Sequence, residues 1–149
     1  MIYPVITLYQ PWATWIMRGW KTIETRTHPR FACLEGREIL IHAGQKTDES
    51  AANNIYLTKK QILHNPDEVV NGYILGSVYV KDFRLLHPSD ANDSLIECFT
   101  IRYGLFLTDV QKFKEPIPCK GEMGIWYYDL DNKCKVKKPT NKISQYGLF

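Results

Sequence analysis

Short runs of apolar, β-branched and aromatic residues recur along the chain, separated by stretches rich in glycine, proline and polar residues. Runs of this length and composition predict β-strands, and few of the segments between them have the apolar spacing of a helix. Six strands are predicted, over residues 2–8, 21–26, 37–42, 73–86, 103–113 and 124–130. We expect an α+β fold built on a small closed or nearly closed β-barrel with short flanking helices, and the pattern leaves a β-sandwich open as an alternative.

A short helix is predicted between the first two strands. Pro11 suits the first helical position because its missing N–H is not needed there, and Gly19 suits the end because glycine readily adopts a left-handed backbone. Trp12, Trp15 and Ile16 then share one face, which we expect to be buried. Two further helices are predicted over residues 48–56 and 58–64, each capped by its first residue.

Composition predicts one globular domain without a metal or a cofactor. The 149 residues are 44% hydrophobic, which is enough for a single substantial core. There is no apolar run long enough to cross a membrane and no signal-peptide pattern at the start, so we expect a cytoplasmic protein with no membrane partner. The four cysteines are far apart and lack metal-ligand spacing, which indicates free thiols.

The charge is distributed unevenly along the sequence. Residues 1–132 carry a formal charge of −2, whereas residues 133–149 carry five lysines and no acidic residue, for +5. We therefore divide the chain into a domain over residues 1–132 and a basic C-terminal tail over residues 133–149. The tail could contact phosphates or simply keep the terminus soluble, and Tyr146 and Phe149 would allow it to pack back on the domain.

Residues 10–26 concentrate the polar chemistry of the chain. In an extended strand Glu24 and Arg26 point to the same side, and the preceding helix is short enough to bring the N-terminal end of this segment close to them. A surface strand with an ion pair would explain the charges without any function. Planar stacking groups beside donors and one carboxylate also suit a pocket for a nucleobase. The candidate residues in this segment are Gln10, Trp12, Trp20, Lys21, Glu24 and Arg26.

Three motifs resemble the ASCH domain family, named for homology to the activating signal cointegrator, within the PUA-like superfamily. They are the pattern from Gln10-Pro11-Trp12-Ala13 to Arg26, the strand of residues 73–82, and the Lys-Gly to Trp signature within residues 116–126. The resemblance covers roughly residues 2–129 and implies a PUA-like barrel. Lys120 and Gly121 of the last motif join the candidate site, where the glycine would allow a ligand to approach the backbone.

The resemblance implies binding of RNA, DNA or a modified nucleoside. In this interpretation Lys21, Arg26 and Lys120 hold phosphates or carbonyl oxygens, a tryptophan stacks on a base, and Gln10 and Glu24 recognise base edges. A hydrolase acting on RNA or on an acylated nucleoside is the alternative, with Lys21 and Glu24 as catalytic residues. Some relatives that hydrolyse an acetylated cytidine have threonine where this chain has Glu24, which weakens that analogy. A protein-interaction module is the second alternative.

Overall fold

The computed structural model describes residues 1–140, and a single seven-stranded sheet organises them. The strands are β1 (Ile2–Gln10), β2 (Ile23–Arg26), β3 (Glu38–Thr47), β4 (Tyr73–Leu85), β5 (Tyr103–Pro118), β6 (Ile125–Asp129) and β7 (Cys134–Val136). The α-helices are α1 (Trp12–Met17), α2 (Ile55–Lys59) and α3 (Ala91–Ser94), and short 3-10 helices span Ala32–Leu34, Glu49–Asn53, Pro66–Glu68 and Pro88–Asp90. The prediction of an α+β fold with few, short helices is confirmed.

Within residues 1–140 the sheet is not closed, so the predicted barrel is not confirmed. Its order is β2-β5-β4-β3-β1-β6-β7, with β1 parallel to β3 and every other neighbouring pair antiparallel. Within residues 1–140, the edge strands β2 and β7 each pair on one side only. These strands have four and three residues, so they offer few backbone groups with which a barrel could be closed.

The sheet buries apolar side chains on both faces. Successive residues of a strand point to opposite faces, so Ile39 and Ile41 lie in one apolar cluster while Leu40 lies in another. Both clusters are completed by residues from β4, whose pairing with β5 changes register three times and bends the two strands. Burial on both faces explains why this part of β3 is a continuous apolar run rather than an alternating one.

Helix α1 begins and ends close to the predicted positions. Gly19 has a φ of +75°, and its N–H bonds the carbonyl of Ile16 while the Trp20 N–H bonds that of Trp15, which is how a glycine-terminated helix ends. The predicted burial of its apolar face is confirmed for Trp15 and Ile16, whereas Trp12 is only partly buried. Trp15 lies in a third apolar cluster with Leu57 and Leu95. This cluster supports one wall of the candidate site.

The two helices predicted after β3 have different boundaries in the structure. Residues 48–56 do not form one helix, because the side chain of Asn54 accepts hydrogen bonds from the N–H groups of Tyr56 and Leu57 and thereby starts α2. Thr58 lies inside α2 instead of capping a separate helix. The predicted second helix over residues 58–64 is therefore wrong, and α2 ends at Lys59.

Three strands differ most from the prediction, and the first of them is β3, which continues five residues past its predicted end, to Thr47. Strand β5 continues past residue 113 because Pro116 falls where the pairing with β4 shifts register, so its missing N–H breaks no regular ladder. Strand β7 was not predicted. Among residues 1–140, no helix is long and apolar enough to cross a membrane.

Candidate functional site

A cleft of about 210 Å³ opens between β1, β2 and the start of α1, and we call it the inner cleft. It is lined by Thr7, Leu8, Tyr9, Trp12, Glu24, Thr25, Arg26 and Ile96. Three of the residues singled out from the sequence, Trp12, Glu24 and Arg26, therefore meet at one cavity. The antiparallel pairing of β2 with β5 fixes the direction of Glu24 and Arg26.

Glu24 is a nearly buried carboxylate held between two cations. Its side chain is only 8% exposed. One carboxylate oxygen lies 3.8 Å from the Lys21 Nζ, and the other lies 3.1 Å from an Arg26 terminal nitrogen. A carboxylate removed from water is tolerated when opposite charges and hydrogen bonds surround it, so this arrangement keeps an acceptor available at the floor of the inner cleft.

Lys21 is completely buried and does not reach the inner cleft. Its Nζ donates a hydrogen bond to the Ser94 carbonyl and lies 4.9 Å from the centroid of the Trp12 ring. Burial lowers the pKa of Lys21 to about 8, and the neighbouring Glu24 opposes that shift. The side chain is therefore mostly an ammonium at neutral pH, and it supports Glu24 from behind the Trp12 ring.

Arg26 lies at the mouth of the inner cleft with spare hydrogen-bonding capacity. Its side chain is 22% exposed, and its guanidinium carbon lies 4.6 Å from the centroid of the Phe31 ring. Within residues 1–140, the Arg26 Nε is buried without a hydrogen-bond partner, so donation to a ligand falls to the terminal nitrogens of the partly exposed guanidinium. Trp12 is held more firmly, since its Nε1 donates to Asp48 at 3.0 Å and its ring packs edge-on against Trp15. The site thus combines a fixed aromatic wall with an arginine that can still donate.

Gln10 and Trp20, like Lys21, do not line the inner cleft. Gln10 is fully buried, and its amide bonds the backbone N–H and hydroxyl of Thr14 and the carbonyl of Val70. Its hydrogen-bonding groups thus serve α1 and the loop that contains Val70. Trp20 packs with the third apolar cluster, and Arg18 lies over its ring at 4.9 Å. We therefore leave Gln10 and Trp20 out of the site proposed below.

A second cavity of about 510 Å³, the middle groove, continues from the inner cleft. It is lined by Thr7, Tyr9, Arg26, Gly44, Gln45, Lys46, Lys120, Gly121, Glu122, Met123 and Gly124. Lys120 and Gly121, in the connection from β5 to β6, therefore line the same groove as Arg26. Thr7, Tyr9 and Arg26 line both cavities, so the inner cleft and the middle groove adjoin.

Position 121 has room only for glycine because the backbone packs closely against other residues of the protein. A Cβ at this position would lie 2.6 Å from the His42 ring and 2.7 Å from the Thr7 hydroxyl. The His42 Nε2 lies 2.6 Å from the Cys119 carbonyl, so this nitrogen carries the proton and donates. Burial lowers the pKa of His42, which favours the neutral ring. The glycine therefore lets the β5–β6 connection pack directly on a buried histidine.

Tyr9 and Lys46 were missed from the sequence. Tyr9 is 51% exposed, and the Lys46 Nζ lies 5.9 Å from the centroid of its ring. An outward-facing aromatic residue at the end of β1, next to a polar end of β3, was the available signal. The pairing of Gln10 with Thr47 across these parallel strands brings the two residues together. Among residues 1–140 there is no cluster of side chains suited to holding a metal ion.

Comparisons with known proteins agree with this architecture. The crystal structure of ASCH from Zymomonas mobilis is 16% identical, with 77% of this chain and 72% of that chain covered and a TM-score of 0.50. A mutant of that protein gives 19% identity, the same coverage and a TM-score of 0.49. At such identities the likeness concerns the fold alone, and no curated protein matches the sequence significantly. The model of the ASCH domain matches residues 6–138, and the chain therefore belongs to the ASCH domain family.

Proposed function

We propose that this protein binds single-stranded RNA and holds one base in the inner cleft. The family is generally thought to bind RNA. The observation that carries the proposal is the Glu24 carboxylate, which is nearly buried at the floor of a cleft and flanked by Lys21 and Arg26. A buried acceptor of this kind suits the amino and imino donors on the edge of an unpaired base.

The residues around Glu24 have different roles in the proposed binding. Lys21 is enclosed, so it positions and neutralises the carboxylate without touching the ligand. Arg26 lines both cavities with a partly exposed side chain, so its guanidinium can donate to a phosphate or a base carbonyl. Tyr9 at the mouth offers an exposed ring on which a neighbouring base can stack. Lys46 and Lys120 are exposed in the adjoining middle groove, where they suit phosphate contacts.

The test is the affinity for fluorescently labelled single-stranded RNA, measured by anisotropy at fixed salt. Glu24→Gln keeps the shape of the side chain but removes its charge and one acceptor, so we expect the affinity to fall about 10- to 100-fold. Lys114→Ala is the control, since Lys114 is exposed in β5 and lines neither cavity. Equal affinities for the wild type and the Glu24→Gln variant would overturn the proposal.

Ligand class is tested in the same assay. Single-stranded DNA of the same sequence shows whether the 2′-hydroxyl contributes, and an acylated nucleoside shows whether a strand is needed at all. Tighter binding to DNA or to the nucleoside would contradict the choice of RNA while leaving the inner cleft as the site. Failure to bind any of them would favour the protein-interaction alternative.

Hydrolysis is a second candidate because the pKa of Lys21 is lowered to about 8. An amine with such a pKa is partly unprotonated near neutral pH and could act as a general base. Its position argues for the binding role, since the Nζ is bonded to the Ser94 carbonyl and lies behind Trp12. The test is product formation from RNA and from acylated nucleosides. Products that disappear in the Lys21→Met variant, while RNA binding persists, would establish the enzyme.

A further inference from the structure

A third cavity, the outer groove, lies where β6 and β7 meet and encloses about 570 Å³. Its lining includes Trp126 on β6, Lys135 on β7, and Lys137 and Lys138 just beyond β7. Glu122 lines both this groove and the middle groove. Because the middle groove also shares residues with the inner cleft, the three cavities follow one another along a continuous surface.

We propose that this surface is a track for one RNA strand, and that Lys135, Lys137 and Lys138 bind its phosphates at the end away from Glu24. The inference rests on the proposed RNA binding and adds the length and path of the ligand. It assigns Lys135, Lys137 and Lys138 to the ligand, where the sequence left phosphate contact and mere solubility open for the basic tail.

The combined size of the three cavities favours a strand over a free nucleoside. The inner cleft encloses about 210 Å³, and the middle and outer grooves enclose about 510 and 570 Å³. A ligand with one base in the inner cleft leaves most of the available space unfilled. A chain of nucleotides fills it, and single-strand binders commonly engage four or more nucleotides per domain, roughly 4–16 in OB-folds.

The charge along the outer groove suits phosphates. Residues 133–140 contain four lysines and no acidic residue. The acidic exception is Glu122, whose side chain is 54% exposed and lies 3.8 Å from the Lys135 Nζ. An exposed pair at this distance contributes little to stability, so a phosphate can replace the Glu122 carboxylate at Lys135 at small cost. The lysines then gain a stronger partner, with release of counterions.

Lys135 is held by ordered structure that leads back to the inner cleft. Strand β7 pairs with β6, and Lys135 lies opposite Tyr128 in the ladder. The Lys135 Nζ lies 5.3 Å from the centroid of the Trp126 ring. The Trp126 Nε1 in turn donates at 3.0 Å to the hydroxyl of Thr7, which lines the inner cleft and the middle groove. The Trp126 side chain therefore contacts Lys135 at one end of the track and Thr7 at the other.

The experiment compares a dinucleotide with a ten-nucleotide RNA for the full chain and its variants. For Lys135, Lys137 and Lys138 all changed to Ala, we expect about a 10-fold or greater loss with the long RNA and no change with the dinucleotide. Because each phosphate contact contributes about 0.7 to the salt slope of a single strand, the slope for the long RNA should fall by about 2. The Glu24→Gln variant should weaken binding of both RNAs.

The outcomes separate the two proposals. If the triple variant binds the long RNA with the wild-type affinity and salt slope while Glu24→Gln still weakens binding, the track is wrong and the inner cleft stands. If Glu24→Gln has no effect on either RNA, the proposed function itself fails. A Lys137→Ala, Lys138→Ala double variant guards against misfolding, because both residues lie outside β7 and are exposed. It should retain the circular dichroism of the wild type and show about two thirds of the slope change.

Discussion

Lys21 makes the free energy of unfolding of the protein rise with pH in the alkaline range. Its pKa is about 8 in the folded chain against 10.5 for the ordinary group, because burial disfavours the ammonium. Below pH 8 both states bind the proton and the folded state carries the full cost of burying it. Between pH 8 and 10.5 the unfolded chain binds more protons, so the free energy of unfolding contributed by Lys21 rises by about 2–3 kcal/mol. Urea unfolding at a series of pH values measures this rise.

The matched variant for this measurement is Lys21→Met, which keeps the long chain without the amine. Its free energy of unfolding should lack the rise, so the difference between wild type and variant should change across this pH window. Arg26 still faces Glu24 in the variant, which limits the loss of the ion pair. Parallel pH curves for the two proteins would show that the Lys21 pKa is not lowered.

Gln10 is expected to stabilise the fold without binding the ligand. Replacing it with Ala removes the partners of the Thr14 N–H and hydroxyl and of the Val70 carbonyl. Because these groups are then left unpaired, we expect a loss of about 2–3 kcal/mol in the free energy of unfolding. RNA affinity at a temperature where the variant is folded should be unchanged. Gln111→Ala, at an exposed position in β5, is the control and should be nearly neutral.

The sequence predicted which polar side chains of β2 share a face, but it did not predict how the residues around β2 pack. Glu24 and Arg26 meet because alternate residues of an extended strand share a face, which is a local property. Gln10 could not be judged in this way, since its partner Val70 is 60 residues away. Trp20 follows a glycine that reverses the chain, and its direction depends on the packing of the third apolar cluster. Residues that are close in the sequence are also close in space here, but the direction of each side chain depends on tertiary contacts.

The packing of the connection from β5 to β6 against His42 depends on Gly121. Gly121→Ala would place a Cβ 2.6 Å from the His42 ring, and a turn bonded to that ring through Cys119 has little room to move. We expect a loss of about 1–3 kcal/mol in the free energy of unfolding, as for other overpacked sites.

Gly124→Ala is the comparison variant, because a Cβ at this position would have no atom within 4 Å, although the φ of the residue is +70°. It should cost about 1–2 kcal/mol from backbone strain alone, with the His42 NMR signals unchanged. Unchanged His42 signals in Gly121→Ala would contradict the close contact.

Strand segments that carry runs of buried aliphatic residues were predicted well, whereas the exposed residues 45–47 of β3 and the whole of β7 were not. Strands β3 and β4 carry runs of buried aliphatic residues that leave little choice of structure. Strand β7 is Cys-Lys-Val, mostly exposed, and exists because its backbone pairs with β6. The openness of the sheet was beyond the sequence for the same reason, since closure depends on pairing between distant backbones rather than on side-chain pattern.

At the scale of the whole molecule, one sheet joins two apolar clusters and the proposed RNA track, so they should unfold together. Leu40→Ala and Ile41→Ala create cavities on opposite faces of β3, and each should cost about 2–5 kcal/mol. Far-ultraviolet dichroism and tryptophan fluorescence should give one shared transition for each variant. RNA at about 100 times its Kd should then add about 2.7 kcal/mol to both, provided each retains the wild-type Kd. Separate transitions, or stabilisation of only one variant, would show that the two faces are independent units and that the track depends on one of them.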